Sequence, residues 1–371
     1  MAPVDHFDIF LATAPGLEAV LREEVVALRF RAAKQVPGGV VVKGNWRDAW
    51  RANLDVRGAN KVLARIDAFQ AFHLDLLEKR ARRVPWGEVL RPNVPFRVEA
   101  TCKGSKIYHS GAAAQRIERA IREELGAPAS PDAAVTIMAR IESDLCTISV
   151  DTSGELLHKR GFKVAVNKAP MRETMAALFL RQCGYTGTEP VLDPMCGSGT
   201  FVIEAAEIAA GLKPGRERPF AFEQLATFDA VAWAEMRAAT PRAPSDLRFV
   251  GSDRDAGAIE MSRTNAARAG VADLTEFKQH TVSDLLRPAG PSGLVIANPP
   301  FGDRIGDKTR LQALYRAMGQ TLLAKFSGWR VGLITNEGGL ARATGLPFKP
   351  PGAPVANGGL RITLYVTDPL P

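Results

Sequence analysis

The C-terminal half of the chain repeats one pattern: a short apolar run, a glycine-rich or acidic turn, and then a helical run. The pattern begins at Val191 and recurs from Phe249 and from Leu294. Repetition of this kind is typical of a doubly wound parallel sheet, because parallel strands must be joined by crossover helices. Ligands of such sheets bind beyond the carboxyl ends of the strands. The turns after these three strands are therefore the candidate site.

The first turn reads Asp193-Pro194-Met195-Cys196-Gly197-Ser198-Gly199-Thr200, and a helical pattern follows from Phe201. Glycines let the backbone approach a ligand closely, and a helix N-terminus offers free N–H groups to an anion. The turn lacks the Gly-Lys-Ser/Thr of a Walker loop and the G-x-G-x-x-G spacing typical of hydride-transfer cofactors. Considered alone, it is also compatible with a tight strand–helix turn that binds nothing.

The second turn follows the run Phe249-Val250-Gly251-Ser252-Asp253 and continues as Arg254-Asp255. A carboxylate at the end of a strand can accept hydrogen bonds from both hydroxyls of a ribose. Asp255 stands directly before a helical pattern, where an aspartate caps the helix. We therefore assign Asp253 to ribose binding and Asp255 to capping.

The third turn follows the apolar run Leu294-Val295-Ile296-Ala297 and reads Asn298-Pro299-Pro300-Phe301. The Asn298 side-chain oxygen and the Pro299 carbonyl can each accept a hydrogen bond from one –NH2 group. Pro300 adds no backbone donor, and Phe301 offers a flat face on which a base can stack. This pattern indicates methylation of a base amine, since attack on a sulfonium methyl requires mainly orientation.

The N-terminal half predicts two further α/β modules. Strands and helices alternate over residues 5–70, and a second set, with a hairpin across Glu142-Ser143-Asp144-Leu145, runs from His73 to Asp151. We predict module limits of 1–65, 66–155 and 156–371, with an aperiodic linker over residues 161–170.

Charge and composition narrow the classes of protein. The net charge is +8, of which +6 (26 Lys+Arg against 20 Asp+Glu) falls in residues 1–168 and +2 in the rest. A basic N-terminal half suits a polyanion such as RNA, although a solvated surface would give the same count. No run of about 18 apolar residues and no signal peptide is present, so a cytoplasmic protein without a membrane span is expected. None of the four cysteines forms a C-x-x-C pair, so no metal is expected.

Together these motifs resemble a known family, the class I SAM-dependent RNA methyltransferases with an N-terminal THUMP domain. The chain is most similar to the bacterial 23S rRNA guanine-N2 methyltransferases. Besides the turns above, the resemblance is carried by the opening segment Leu11–Glu18, and by Leu157–Phe162 followed by Ala169-Pro170-Met171-Arg172-Glu173-Thr174.

The resemblance implies a Rossmann-like methyltransferase domain preceded by ferredoxin-like and THUMP modules. It also implies that SAM is the cofactor. Gly197 and Gly199 would flank the methionine part of SAM, Asp253 would bind its ribose, and Arg254 would cover its adenine. The segment from Ala169 to Thr174 would close over the cofactor, while Asn298, Pro299 and Phe301 would hold the base. The remaining members of the first turn, from Asp193 to Thr200, would complete the cofactor site.

Two positions depart from the family pattern. Phe301 replaces a tyrosine found in many members, which keeps stacking and loses a hydroxyl. After the strand near Phe277, members usually carry an acid that meets the adenine amine. Here the run is Gln279-His280-Thr281-Val282-Ser283-Asp284, and we expect Thr281 or the backbone to make that contact instead.

The implied substrate is guanine N2 in 23S rRNA. The catalytic loop leaves open tRNA guanine-N2 and RNA adenine-N6, because guanine and adenine both carry an exocyclic –NH2. A non-catalytic RNA-binding protein is less compatible with the intact motifs. One set of methyltransferase motifs is present, so a single activity and a monomer are expected.

Overall fold

The computed structural model describes residues 6–163, 171–238, 242–243, 245–301 and 308–371. These residues divide into two compact units. The first holds residues 6–13, 21–157 and 218–238, and the second holds the remaining described residues. No described helix is both long and apolar enough to cross a membrane.

The first unit is built on a sheet whose described strands run in the order β2-β3-β1-β4-β7-β6-β5. The strands are β1 (Phe7–Ala12), β2 (Arg31–Val36), β3 (Gly39–Gly44), β4 (Lys61–Gln70), β5 (Phe96–Lys103), β6 (Val135–Glu142) and β7 (Leu145–Asp151). The helices in this part of the chain are α1 (Glu18–Ala27), α2 (Trp46–Asp55), α3 (Leu74–Ala81), α4 (Trp86–Val89) and α5 (Ser110–Leu125).

Strand β4 joins the two predicted N-terminal modules into one sheet. Its first half pairs with β1, from Lys61 to Arg65, and its length from Leu63 to Gln70 pairs with β7. The limit predicted between residues 65 and 66 falls inside this strand, beside a register shift between Arg65 and Asp67. The predicted hairpin from β6 to β7 is present, with Ser143 and Asp144 in the positive-φ conformation of a tight two-residue turn.

Strand β2 was not predicted, because its apolar and polar residues do not alternate, and none of its residues is buried. It lies at the edge of the sheet and pairs only with β3 among the described strands. Helix α1, which precedes it, ends at Ala27, and Arg29 takes a positive φ. An edge strand without alternating apolar residues leaves no periodic signal in a sequence.

The second unit is built on a sheet with the described order β10-β9-β8-β11-β12-β14-β13. Its strands are β8 (Val191–Asp193), β9 (Phe249–Asp253), β10 (Thr275–Gln279), β11 (Leu294–Ala297), β12 (Arg330–Thr335), β13 (Val355–Asn357) and β14 (Leu360–Val366). The helices that follow along the chain are α6 (Glu173–Gln182), α7 (Thr200–Ala209), α8 (Ala230–Ala238), α9 (Ala256–Arg268), α10 (Lys308–Lys325) and α11 (Gly338–Ala343). Of these, α8 belongs to the first unit.

The doubly wound sheet predicted for the C-terminal half is confirmed. Strands β8 to β12 are parallel, and β14 pairs antiparallel to β12. Every residue of β8 and β11 is buried, as expected for central strands covered on both faces. Strand order runs outward from β8 through β9 in one direction and through β11 in the other, so the switch point of the sheet lies between β8 and β11.

The segment 218–238 returns to the first unit, although it lies between two strands of the second sheet. Arg218 donates hydrogen bonds to the carbonyls of Leu156 (2.9 Å) and Glu155 (2.8 Å). Phe222 stacks on Trp50, with ring centroids 5.6 Å apart, and meets Trp233 edge to face. The sequence marked this stretch as an insertion but gave no indication of where it packs.

Substitution of Gly319 tests how closely α10 packs against the loop after α11. A Cβ at this position would stand 1.8 Å from the Thr344 carbonyl oxygen. We expect Gly319→Ala to lower the free energy of unfolding by about 1–3 kcal/mol, because overpacking outweighs the gain in helix propensity. Urea unfolding measures this. Gly87→Ala in α4, where the added Cβ meets only Leu125 at 3.7 Å, is the control. Equal stability of the two variants would contradict the packing described.

Candidate functional site

The carboxyl ends of β8, β9 and β11 bring the three predicted turns together at the switch point. A cavity of about 470 Å³ opens there. Six of the predicted site residues line it: Met195, Asp253, Arg254, Thr281, Asn298 and Pro300. Residues more than 100 positions apart in sequence thus line the same cavity, because parallel strands end at the same edge of the sheet.

Asp253 connects two of the turns through its carboxylate. One oxygen accepts a hydrogen bond from the Gly197 N–H (3.1 Å), and the other accepts from the Asp255 N–H (3.0 Å). The carboxylate therefore lies at the mouth of the glycine turn and still borders the cavity. Asp255 accepts from the Gly257 N–H (3.0 Å) at the start of α9, which confirms its predicted capping role.

The glycine turn requires residues without a Cβ. Gly197 and Gly199 have φ values of +54° and +83°, a region that other residues rarely adopt. Space is open where a Cβ on Gly197 would stand, whereas one on Gly199 would lie 3.1 Å from the Ser262 side chain. Gly199 is the N-cap of α7 and has no side chain that could accept a hydrogen bond from the helix. The first N–H groups of α7 therefore face the turn without a side-chain cap.

Asp193 is buried at the end of β8, with only 2% of its surface exposed. One carboxylate oxygen accepts a hydrogen bond from the Met195 N–H (3.0 Å). Burial is the main cause that raises the pKa of Asp193 to about 8; the hydrogen bond from Met195 lowers this pKa, and the charge of Asp253 raises it. A cation entering the turn would favour the ionised form of this carboxyl.

Cys196 and Ser198 serve the structure of the turn. The Cys196 N–H donates to the Ser252 carbonyl (2.9 Å), and the Ser198 carbonyl accepts from the Asn265 side chain (3.1 Å). Burial raises the pKa of the Cys196 thiol well above its usual range, so the sulfur stays protonated. A neutral thiol is a poor nucleophile, which argues against covalent chemistry at this cysteine.

Asn298 presents a buried hydrogen-bond acceptor at the cavity. Its Oδ1 is inaccessible to solvent and has no hydrogen-bond partner among the described residues. Pro299 is buried behind it, and the Pro300 carbonyl accepts from the Tyr315 hydroxyl (3.3 Å). Burial raises the pKa of Tyr315 to about 12, so this hydroxyl remains a donor. An unpaired buried acceptor is costly unless a ligand supplies an N–H.

Other predicted residues lie away from this cavity within the described part of the chain. Phe301 is partly buried and packs against the core beside α10, and Thr174 is buried inside α6. Thr200, at the start of α7, accepts a hydrogen bond from Lys163. Ala169, Pro170, Gly302, Asp303 and Arg304 lie outside the described residues.

Sequence reasoning missed several residues that line the cavity. Arg310, Leu311 and Leu314 come from α10. His280, which was also missed, follows β10 and, with the predicted Thr281, borders an adjoining cavity of about 320 Å³, which contains Asp284. Position along α10 gives no indication that its first turns reach the site, because that depends on how the helix packs.

Asp193 provides a test of the buried carboxyl. Between its ordinary pKa and about 8, the unfolded chain releases a proton that the folded chain keeps, so folding loses stability as pH rises. We expect wild type to lose up to about 1.4 kcal/mol per pH unit relative to Asp193→Asn between pH 5 and 7. The difference should level off above pH 8. Urea unfolding of both proteins across this range measures it, and parallel pH profiles would disprove a raised pKa.

Family models match three stretches of the chain. A model described as the RMKL-like methyltransferase domain matches residues 160–349, which is more than half of the chain. An RlmL ferredoxin-like domain matches residues 8–63, and a THUMP domain matches residues 72–151.

Individual proteins are similar over most of the chain. The ribosomal RNA large subunit methyltransferase K/L of Vibrio campbellii is 33% identical over 342 residues, covering 88% of this chain and 48% of that protein. The chain thus spans about half the length of this curated relative. The structure of SMU.472 complexed with SAH is 27% identical, with a TM-score of 0.89, and the match covers 99% of each chain.

A third similar structure is that of a predicted N6-adenine-specific DNA methylase from Listeria monocytogenes. It is 30% identical, with a TM-score of 0.87, covering 97% of this chain and 96% of that one. By its three successive domains, and by a methyltransferase model that spans most of the second unit, the chain belongs to the RMKL-like methyltransferase family.

Proposed function

We propose that this chain transfers a methyl group from SAM to the exocyclic N2 of guanine in 23S rRNA. The observation that carries this proposal is the buried Oδ1 of Asn298 at the cavity, which has no hydrogen-bond partner in the described part of the chain. An –NH2 group of a base would satisfy this acceptor. The name of the Vibrio relative supports ribosomal RNA as the substrate class.

The protein's part in the reaction is to orient the base amine toward the methyl group of SAM. A base amine is a weak nucleophile because its lone pair is delocalised into the ring. Hydrogen bonds from the amine to Asn298 and to the Pro299 carbonyl would draw its lone pair toward the methyl group. Tyr315 fixes the loop by donating to the Pro300 carbonyl. SAM, when bound, supplies a methyl already activated by its sulfonium, so positioning accounts for most of the acceleration.

The residues at the switch point fit SAM. The Asp253 carboxylate borders the cavity, where it can accept from ribose hydroxyls, and Arg254 lines both cavities. Asp284 lines the adjoining cavity three residues beyond the position where the family usually carries an acid. It accepts from the Thr281 hydroxyl (2.7 Å), and its second oxygen can meet the adenine amine. Asp284 thus stands in for the acid missing from this sequence.

RNA is the substrate class favoured by a surface of the first unit, which we call the aromatic patch: Phe72, Tyr108 and Leu145. These side chains are 45%, 86% and 41% exposed, and no other aromatic side chain is so exposed among the described residues. The Lys106 ammonium lies 5.1 Å from the Phe72 ring centroid. Exposed aromatic rings beside lysines are typical of surfaces on which unpaired bases stack.

The aromatic patch is rigidly supported. The Lys106 N–H donates to the Asp144 side chain (2.7 Å), and the Asp144 carbonyl accepts from the Ala71 N–H (2.9 Å). Lys103 lies 3.5 Å from Glu142, so the local charge is mixed. Stacking, more than charge, would then determine binding at this surface.

Adenine N6 is the second candidate, supported by the name of the Listeria protein. Asn298 would accept from an adenine amine as readily as from a guanine amine. The matches to a ferredoxin-like domain and a THUMP domain favour RNA over DNA, because the two N-terminal modules resemble those of RNA methyltransferases. A ribosomal substrate would place the activity in the cytoplasm.

Asn298→Ala tests the proposed reaction. Labelled SAM is supplied with total RNA from a strain lacking this gene, and the RNA is digested to nucleosides. We expect label in N2-methylguanosine of large-subunit rRNA, and a rate about 100-fold lower for the variant, similar to loss of one transition-state hydrogen bond. Asn298→Asp, which keeps an acceptor, is the matched control and should retain more activity.

The distribution of label decides among the alternatives. Label in tRNA or in N6-methyladenosine would mean that the substrate differs from the one proposed while the mechanism is the same. An unchanged rate for Asn298→Ala would contradict the role assigned to its side chain.

The aromatic patch gives a separate prediction. Removing one stacking ring should weaken binding of single-stranded RNA by about 1–3 kcal/mol, or roughly 5- to 150-fold. We expect this for Tyr108→Ala and for Phe72→Ala in fluorescence anisotropy with a labelled rRNA fragment. Val231→Ala, at an exposed apolar residue of α8, is the control. Equal affinities for all three variants would exclude the patch from RNA binding.

A further inference from the structure

The first turns of α10 form one wall of the cavity that contains Asn298. Arg310, Leu311 and Leu314 line this cavity. Residues three and four apart lie on the same face of a helix, so Leu314 shares a face with both of the others. Leu311 is buried, Leu314 is partly buried and Arg310 is exposed. The wall is therefore apolar inside the cavity and carries a cation toward its mouth.

Hydrogen bonds near both ends of α10 hold this wall in place. Tyr315 is fully buried, and its hydroxyl donates to the Pro300 carbonyl (3.3 Å). At the end of the helix, the Lys325 ammonium donates to the carbonyls of Ser283 and Leu285, each at 3.1 Å. The helix is thus attached to the catalytic loop and to the segment after β10. A side chain carried by such a helix is positioned more exactly than one carried by a loop.

The lining of the cavity separates a cofactor side from a base side. Arg254, His280 and Thr281 also border the adjoining cavity, so they mark the side on which the two cavities meet. The adenosine part of SAM is assigned to that side. Asn298, Pro300 and the wall from α10 belong to the lining of the larger cavity and not to that of the adjoining one. A base amine held by Asn298 would therefore have the wall from α10 beside it.

The chemistry of this wall matches guanine better than adenine. Leu311 and Leu314 offer aliphatic surface to the flat face of a base, whereas Phe301 packs against the core. Arg310 carries hydrogen-bond donors alone, arranged in a planar fork. Guanine presents two neighbouring acceptors, O6 and N7, and adenine presents an amine in place of O6. An arginine in this cavity would therefore find two acceptors on guanine and face a donor on adenine.

We propose that Arg310 recognises the target guanine by donating to O6 and N7, while Leu311 and Leu314 cover one face of the base. This inference rests on the proposed function, since it takes guanine N2 as the methylated group. It assigns to α10 the choice between guanine and adenine, which the Asn298 side chain leaves open. Arg310 does not belong to the set of site residues predicted from the sequence.

Transcripts that contain 7-deazaguanosine test this recognition. The analogue has carbon in place of N7 and keeps O6, the N2 amine and Watson–Crick pairing, so the RNA can still fold. Transcripts of the large-subunit rRNA, made with guanosine or with 7-deazaguanosine, are methylated with labelled SAM, and kcat/KM for RNA is compared. We expect wild type to be roughly 10-fold slower on the analogue, the effect of losing one hydrogen bond from a charged donor.

Arg310→Met keeps a long side chain and removes the donors. We expect its kcat/KM on the guanosine transcript to fall about 5- to 150-fold, the range for a bidentate arginine–guanine contact, with no further loss on the analogue. Affinity for SAH, measured by calorimetry, should stay unchanged, because Arg310 lies on the base side. Arg316→Met, at an exposed arginine of the same helix outside this lining, is the control and should behave as wild type.

Arg310→Lys separates recognition of the base from attraction to a phosphate. Lysine keeps the charge and loses the planar fork, so we expect its kcat/KM to stay well below that of wild type. Full recovery in this variant would mean that the charge alone matters, and would refute recognition of O6 and N7.

The remaining outcomes distinguish this inference from the proposed function. Equal sensitivity of wild type and Arg310→Met to the analogue would refute the role of Arg310 and leave the proposed function intact. Weaker SAH binding by Arg310→Met would show that the arginine serves the cofactor, and would refute the inference as well. Wild type that forms no N2-methylguanosine, or that labels adenosine instead, would refute the proposed function and the inference with it.

Discussion

The site depends on the carboxylate of Asp253, which holds the turn after β8 and the turn after β9 in one arrangement. Its two oxygens accept from the N–H groups of Gly197 and Asp255, at 3.1 and 3.0 Å. Gly197 directs its N–H toward that oxygen in a positive-φ conformation, which residues other than glycine rarely adopt. The space where a Cβ would stand on this glycine is open. The cavity then forms where the neighbouring strands end, at the switch point of the sheet.

Around this arrangement the second unit buries more charge than a stable core requires. Asp193 is kept neutral by burial, and Arg160 and Lys163 are each placed against a buried glutamate. Buried ion pairs add little to stability once desolvation is counted.

Much of this could be predicted from the sequence, because strand, turn and helix are local. The motifs at Asp193, Asp253 and Asn298 predicted the parallel sheet and the edge at which its turns meet, and the family match agrees with that fold. The same reasoning missed β2, in which apolar and polar residues do not alternate. Arg310 and Leu314 line the cavity because of how α10 packs, which no local pattern reports. Whether Phe301 stacks on a base stays a prediction.

The sequence by itself determined which backbone could turn: glycines at 197 and 199, prolines after Asn298, and an aspartate before α9 are properties of single residues and their neighbours. Tertiary structure alone decided which side chains share a wall. It joined two predicted modules through β4, returned residues 218–238 to the first unit, and buried Lys163 against Glu173 and Thr200. These outcomes depend on contacts between residues far apart in the chain, and the energy of such contacts is set by packing and burial that a linear pattern does not record.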